Sequence, residues 1–354
     1  MVFATVCALS GCKPPSTSSS SETPAPDSEP IAHVESATPG GASPPSTSRP
    51  SVSAIPPQRP AKPRLVPPAE IWKEFSGDKA FAEARGQVEI GPRPSGSPEI
   101  ETARRLIEGS LHHSGWDVER QVFTDETPHG PVEFVNLIAR FSASGKSPAA
   151  ANPQQAIVCS HYDTKIFSNI RFVGASDGAS GTGALLELAR VLAMDPALAE
   201  KLELVFFDGE EAVVQFTAPD EPHQDGLYGS RHYAKELMDS GRARQFRFGI
   251  LWDMIGDRNL TITLPPDSPV ELMREILSAA DAMHLRQHFS ILDRTILDDH
   301  YPLNHAAHIP TIDLIDFDYP AWHTADDNLE HIGAESLQKV GAVTLYHLRK
   351  ALGK

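Results

Sequence analysis

The chain has 354 residues, a formal net charge of -16 and a pI near 5.3, a balance that excludes nucleic acid or an anionic lipid surface as the main partner and suits neutral or cationic ligands. Its hydrophobic content of 40% is diluted by a Pro/Ser-rich front, and the remainder suffices for one well-buried domain of ordinary α/β size. Only Cys7, Cys12 and Cys159 occur, which excludes a disulfide framework, and no apolar run reaches the roughly 18 residues needed to span a bilayer.

Residues 1–12 form a short apolar leader ending in Leu9-Ser10-Gly11-Cys12, which resembles the lipobox of bacterial lipoproteins. The expectation is an exported protein of the cell envelope, periplasmic or on the outer surface, anchored through lipid on Cys12 and touching the membrane only there. No Lys or Arg precedes the short apolar run, so a complete signal peptide would need a start codon further upstream. Residues 13–68 are rich in Ser, Thr, Pro and Ala with almost no aromatic residue; such a stretch cannot bury enough apolar surface to offset ordering entropy and is expected to be a disordered tether. Residues 69–354 are the expected catalytic domain.

Within that domain, Ala69 to Phe75 and Asp78 to Gln87 have helical spacing, and Ser97 to Ser114 is a longer helix with Ser97 as cap and Ile100, Ala103, Leu106 and Ile107 on its apolar face. Strands are expected at Trp116 to Thr124, Phe134 to Phe141 and Ala156 to Ser160, followed by a helix from the Gly178-Ala179-Ser180-Gly181 segment through Ala193. The run Leu204-Val205-Phe206-Phe207 then breaks into Asp208-Gly209-Glu210-Glu211, as a buried strand delivering acids to its own C-terminal end. Helices at Ser230 to Met238, Pro269 to Met283 and Ala334 to about Leu352 alternate with strands at Gly249 to Ile255, Leu260 to Leu264 and Thr311 to Ile315. Alternation of this kind, with continuous apolar strands, predicts a three-layer α-β-α sandwich on a mixed, mostly parallel sheet.

Polar residues collect where these strands end: His161 and Asp163, Asp177, Glu210 and Glu211, Asp253, and His323. Open α/β sheets bind ligands at that edge. Singly, each residue has a structural explanation: a core histidine, a helix cap, a turn residue. Their gathering at one edge favours a metal site, since adjacent carboxylates in a cleft need a cation or a proton.

The segments His161-Tyr162-Asp163, Gly174-Ala175-Ser176-Asp177, Phe206 to Ala212, Leu227-Tyr228-Gly229-Ser230-Arg231-His232, Asp253-Met254-Ile255-Gly256, Asp298-Asp299-His300 and Trp322-His323-Thr324 resemble, in order, those of the animal-type glutaminyl-peptide cyclotransferases within the M28 zinc aminopeptidase superfamily. The resemblance implies one zinc held by Asp177, Glu211 and His323, with Glu210 as general acid/base, Asp253 and Asp298 in the catalytic hydrogen-bond network, and Trp322 and His300 at the pocket. Phe216, where a tryptophan is usual, and Leu297, where a glutamine is usual, are substrate-rim positions that depart from the family pattern, as does a longer loop at residues 220–223. The implied substrates are peptide or protein N-termini, acted on by a monomer. The same scaffold admits a two-zinc aminopeptidase in which His161 and Asp253 join Asp177 at a second ion, and the ligand inventory alone does not choose between the two. A pocket-bearing protein without turnover is a third reading, against which stands the retained Glu210. Cys159, on a core strand, reads as a small buried hydrophobe. His223, His284, His288, His305 and His308 read as solvated or packed histidines, and Met238, Met254 and Met273 as core residues.

Overall fold

The computed structural model describes residues 66–142, 153–218 and 224–353. The leader with Cys12, the tether up to residue 65 and the longer loop at residues 220–223 lie outside the described residues.

The apolar runs become the strands of one six-stranded sheet. A hairpin of β1 (Trp116–Thr127) and β2 (Gly130–Phe141) forms one antiparallel edge; β2 lies antiparallel to β4 (Leu202–Phe207), and from there β3 (Ala156–His161), β5 (Phe248–Asp253) and β8 (Thr311–Ile315) run parallel to it. The order is β1-β2-β4-β3-β5-β8, so the connection leaving β3 goes to one side of it and β5 lies on the other. This reversal opens a crevice at the C-terminal ends of the parallel strands.

Period-two alternation divides the strand side chains between two layers. Val158, Leu204, Phe206, Ile250, Trp252, Ile312 and Leu314 pack with Leu185 and Leu188 of α3 (Ala179–Leu192) and Leu337, Val340 and Leu345 of α8 (Ala334–Leu352). Ile157, Cys159, Val205, Phe207 and Leu251 face the other way, onto Tyr233, Ala234 and Leu237 of α5 (Tyr228–Asp239) and onto Leu303 of α7 (His300–His305). Buried Cys159 is thus a core residue, as its strand position predicts. Apart from Arg190, α3 is buried all round, because α1 (Gly77–Ile90) covers the face the sheet leaves bare. Gly183 lets these helices touch: a Cβ there would meet the Ala84 amide and the Ala80 carbonyl.

The expected elements recur with small shifts. Ser97 caps α2 (Pro98–His113) by accepting from the Ile100 amide at 3.1 Å, while the Ala69 to Phe75 stretch is only a 3-10 turn, Ile71–Glu74. A short α4 (Pro196–Ala199) precedes β4, and α6 is Val270–Ala282. Two features correct the sequence reading. The Leu260 to Leu264 strand shrinks to β6 (Ile262–Leu264) and pairs outside the main sheet with β7 (Phe289–Ile291), and the expected strand through Ile255 stops at Asp253 because Met254 takes a left-handed φ of 47° that breaks the ladder.

The first acid after β4 is structural. Asp208 is fully buried and accepts from Arg104 at 2.5 Å, Ser95 Oγ at 2.6 Å and the Val135 amide at 2.8 Å. Burial raises its pKa to about 6 against the pull of Arg104. Arg104→Met should cost about 3–5 kcal/mol in denaturant unfolding, because it strands a buried carboxylate.

On the far side of the fold, buried His347 packs edge-on to the Phe248 ring at 5.1 Å, with half-exposed Glu275 at 3.7 Å. Burial, aided by Arg247, pushes its pKa down to about 4. The unfolded chain therefore takes up this proton first: the residue's stability is complete above about pH 6.5 and is lost as pH falls through about 4. His347→Leu should flatten the pH dependence of the unfolding midpoint in that window.

Candidate metal and catalytic site

Because β3, β4, β5 and β8 are parallel, their C-terminal ends open on the same edge. His161 ends β3, Glu210 and Glu211 follow β4, and Asp253 ends β5. Asp177 comes from the loop before α3 and His323 from the loop after β8. One ligand atom from each of Asp177, Glu211 and His323 lies within 4.8 Å of the others, and so do atoms of His161, Asp177 and Asp253. His323 Nε2 is 3.1 Å from Glu211 Oε1 and 3.3 Å from Asp177 Oδ2; His161 Nε2 is 3.2 Å from Asp177 Oδ1 and 3.1 Å from Asp253 Oδ1. The sequence-predicted ligands therefore converge. Two facts make the first group suited to a cation: it offers two carboxylate oxygens and one imidazole nitrogen within 4.8 Å of one another, and Glu211 Oε2 is buried without a hydrogen bond. His323 is itself strained, with a φ of 56°.

The loops are fixed by acids that bond to backbone. Asp163 accepts the Glu210 and Glu211 amides, one on each oxygen at 3.2 Å. Asp327 accepts the Ser176 amide at 2.7 Å, the Asp177 amide at 3.1 Å and the Tyr319 hydroxyl at 2.8 Å. Gly178 turns the chain out of this loop at a φ of +92°, where a Cβ would lie 2.8 Å from the Asp163 carbonyl. Asp225 gathers the amides of Val213, Val214 and Gln215 at 2.8–3.0 Å, shaping the segment that follows Glu211.

Beneath the Asp177 loop, fully buried Arg93 donates to the carbonyls of Gly91, Val173 and Gly174 at 3.0, 2.8 and 3.3 Å. Burial lowers its pKa to about 10, with Asp163, Asp327 and Asp177 opposing. Lys165 donates to the Ala212 carbonyl at 2.6 Å and stands 3.6 Å from Glu211 Oε2. Sequence reasoning missed Arg93, Lys165, Tyr319 and Asp225. Only Arg93 left a signal, an arginine between two prolines in Gly91-Pro92-Arg93-Pro94.

Electrostatics separate the acids. Burial raises the pKa of Asp177, but hydrogen bonds from His161 and His323 outweigh it and hold the group well below the usual carboxylate range. Burial lifts Glu210 well above its ordinary value, with Asp298 and Glu211 adding to the rise and His161 opposing it. Burial likewise raises Glu211, Asp253 and Asp298, the last with help from Asp253 and Asp299. For His161, burial opposes the charged form, yet hydrogen bonds with Asp163, Asp177 and Asp253 keep its pKa well above 6.5; for His323 the same balance, with Asp177 and Glu211, gives about 9.

Over this floor lies a pocket of about 350 Å³, mouth included, lined by Glu210, Phe216, Asp253, Leu297, Asp298, Phe317 and Trp322 together with the cation group. Trp322, 41% exposed, lies near-parallel to the His323 ring at 4.4 Å. His300 departs from its expected place at the pocket. It opens α7, is buried, and faces Asp313 of β8 at 3.5 Å below the pocket, because the helical turn after Asp299 carries it inward.

Residues 136–348 match Peptidase family M28. The chain belongs to that family. Among M28 relatives, a glutaminyl-peptide cyclotransferase-like protein of Bos taurus is 30% identical over 290 residues, covering 74% of this chain and 72% of the relative. A glutaminyl cyclase from an Acidobacteriales bacterium superposes with a TM-score of 0.69 at 30% identity, covering 83% of this chain and 99% of its own. A Zn-dependent exopeptidase from Parabacteroides distasonis gives 0.68 at 26% identity, with 79% and 99% covered. The M28 fold and the glutaminyl-cyclase resemblance read from the segments are thus both met.

Since Asp327 holds Asp177 only through backbone, Asp327→Ala should weaken metal binding by about 10–100-fold, read in a zinc-competition titration, while every ligand remains in place.

Proposed function

We propose that the protein is a zinc-dependent glutaminyl-peptide cyclotransferase, converting the N-terminal glutamine of peptides or proteins to pyroglutamate with release of ammonia. The observation that carries this reading is a buried two-oxygen, one-nitrogen ligand group with a free carboxylate, Glu210, beside it on the floor of a small pocket, in a chain whose relatives include glutaminyl cyclases.

Asp177, Glu211 and His323 would hold the zinc, which when bound polarises the γ-carboxamide oxygen of the substrate. Glu210 accepts a proton from the substrate α-amine as its nitrogen attacks the carbonyl carbon of the γ-carboxamide. The new C–N bond closes the five-membered ring, the bond to the amide nitrogen breaks, and Glu210 returns the proton so that ammonia leaves. No water is consumed. The walls of Phe216, Leu297 and Trp322 fold the side chain back on its own amine, so orientation supplies much of the acceleration. Asp253 and Asp298 stand around Glu210 to orient the amine and the leaving nitrogen. The attacking amine must be neutral, so kcat/KM should rise with pH through the substrate amine's pKa of about 8.

A two-ion aminopeptidase is the second reading, favoured by the closeness of His161, Asp177 and Asp253 and by the exopeptidase among the structural neighbours. Against it stand the relatives and solved neighbours that are glutaminyl cyclases. Export, lipid anchoring at Cys12 and a monomeric state belong to the same proposal.

Ammonia release from a Gln-initiated peptide by the zinc-loaded protein, with one zinc per chain in elemental analysis, is the expected result. Free amino acid from Leu- or Ala-initiated peptides, with two zinc ions and no action on Gln peptides, would establish the hydrolase instead. Glu210→Gln should reduce turnover by at least 100-fold with zinc retained, whereas Asp177→Ala and His323→Ala should lose the metal.

A further inference from the structure

Asp313 breaks the apolar pattern of the strand that carries it. Ile312 and Leu314 face the layer of α3 and α8, so Asp313, in register with Leu251, faces the apolar layer under α5 and α7, where it is fully buried. His300, at the start of α7, and Asp298 meet it there. One oxygen from each carboxylate and one imidazole nitrogen lie within 4.8 Å of one another, with His300 Nδ1 3.5 Å from Asp313 Oδ2. All three residues are buried, and neither ring nitrogen of His300 has a hydrogen bond. Among the described residues, no lysine or arginine forms an ion pair with Asp298 or Asp313. An unbonded buried imidazole turned toward two carboxylates without a basic partner is costly until something is placed between them.

We propose that Asp298, His300 and Asp313 form a second, weaker site for a zinc-like divalent cation beneath the pocket, and that filling it arrests the reaction. Two carboxylate oxygens and one imidazole nitrogen suit zinc or cobalt, whereas calcium and magnesium favour oxygen alone. The group shares no residue with Asp177, Glu211 and His323, nor with the His161 and Asp253 pair of the two-ion reading. Asp298 alone of the three also lines the pocket, so an ion enters past it. Two costs make this the weaker site. The catalytic group keeps a partly exposed His323, but here the ion must shed its hydration fully, and Asp298 Oδ1 already accepts the Asp299 amide at 2.5 Å. Once bound, the cation withdraws the Asp298 carboxylate from the surroundings of Glu210, which is how occupancy stops turnover. The arrest rests on the cyclisation reading; the cation site itself does not.

Titration of the protein, first dialysed to one zinc per chain, with Co2+ tests this. The expected result is uptake of a second ion, seen as visible cobalt absorption, while ammonia release from a Gln-initiated peptide falls by about tenfold or more as that site fills. His300→Phe and Asp313→Asn should each raise the half-filling concentration by at least about tenfold, shift the inhibition by the same factor and keep the activity of the one-zinc protein. No second ion up to millimolar cobalt would overturn the site. So would a second ion that both variants bind as well as the native chain and that His161→Asn loses. Uptake with ammonia release unchanged would overturn the arrest. No ammonia from the one-zinc protein would overturn the cyclisation reading alone, because cobalt absorption reads the site without turnover.

Discussion

The structure turns on how buried negative charge is compensated. Asp163, Asp177, Asp208, Glu210, Glu211, Asp253, Asp298 and Asp327 are all buried near one edge of one sheet, and each buried carboxylate costs several kcal/mol unless something answers it. Four answers are used. Asp208 has an arginine, Asp163 and Asp327 have backbone amides, and Asp177 has two histidines. Glu210, Glu211, Asp253 and Asp298 have their pKa values pushed upward by burial, so each is held nearer its neutral form until a cation or a proton partner answers it.

This division explains why adjacent acids can have different duties. Glu210 and Glu211 share one backbone anchor, yet only Glu211 meets His323 and the Asp177 side of the site. The parallel strands bring the acids to one place, and the reversal at β3 opens the crevice between them. The antiparallel hairpin β1-β2 then contributes from outside, since the Val135 amide and Arg104 of α2 close around Asp208.

Much of this was legible in the sequence because it depends on side-chain identity at fixed spacing. Continuous apolar runs marked the core strands, Ser97 marked a helix start, and the ligands stood where those runs ended. What escaped depends on backbone or on tertiary context. β7 has only three residues and α7 has six with Pro302 inside, both too short for a periodic signal. Arg93 is held by carbonyl oxygens, which every residue possesses, so no partner residue type announces it. His300 follows two aspartates as a pocket residue would, but the turn of α7 decides which way it faces.

The grip of Asp163 has a consequence for how such a protein can change. It holds positions 210 and 211 by their amides, so the path of the loop does not depend on which side chain stands at 210. The cation ligands and the pocket walls come from other positions. Chemistry and recognition are thereby separable in this scaffold: one substitution at position 210 leaves the loop path, the cation-ligand group and the pocket walls in place, and a descendant could exchange catalysis for capture without rebuilding its fold.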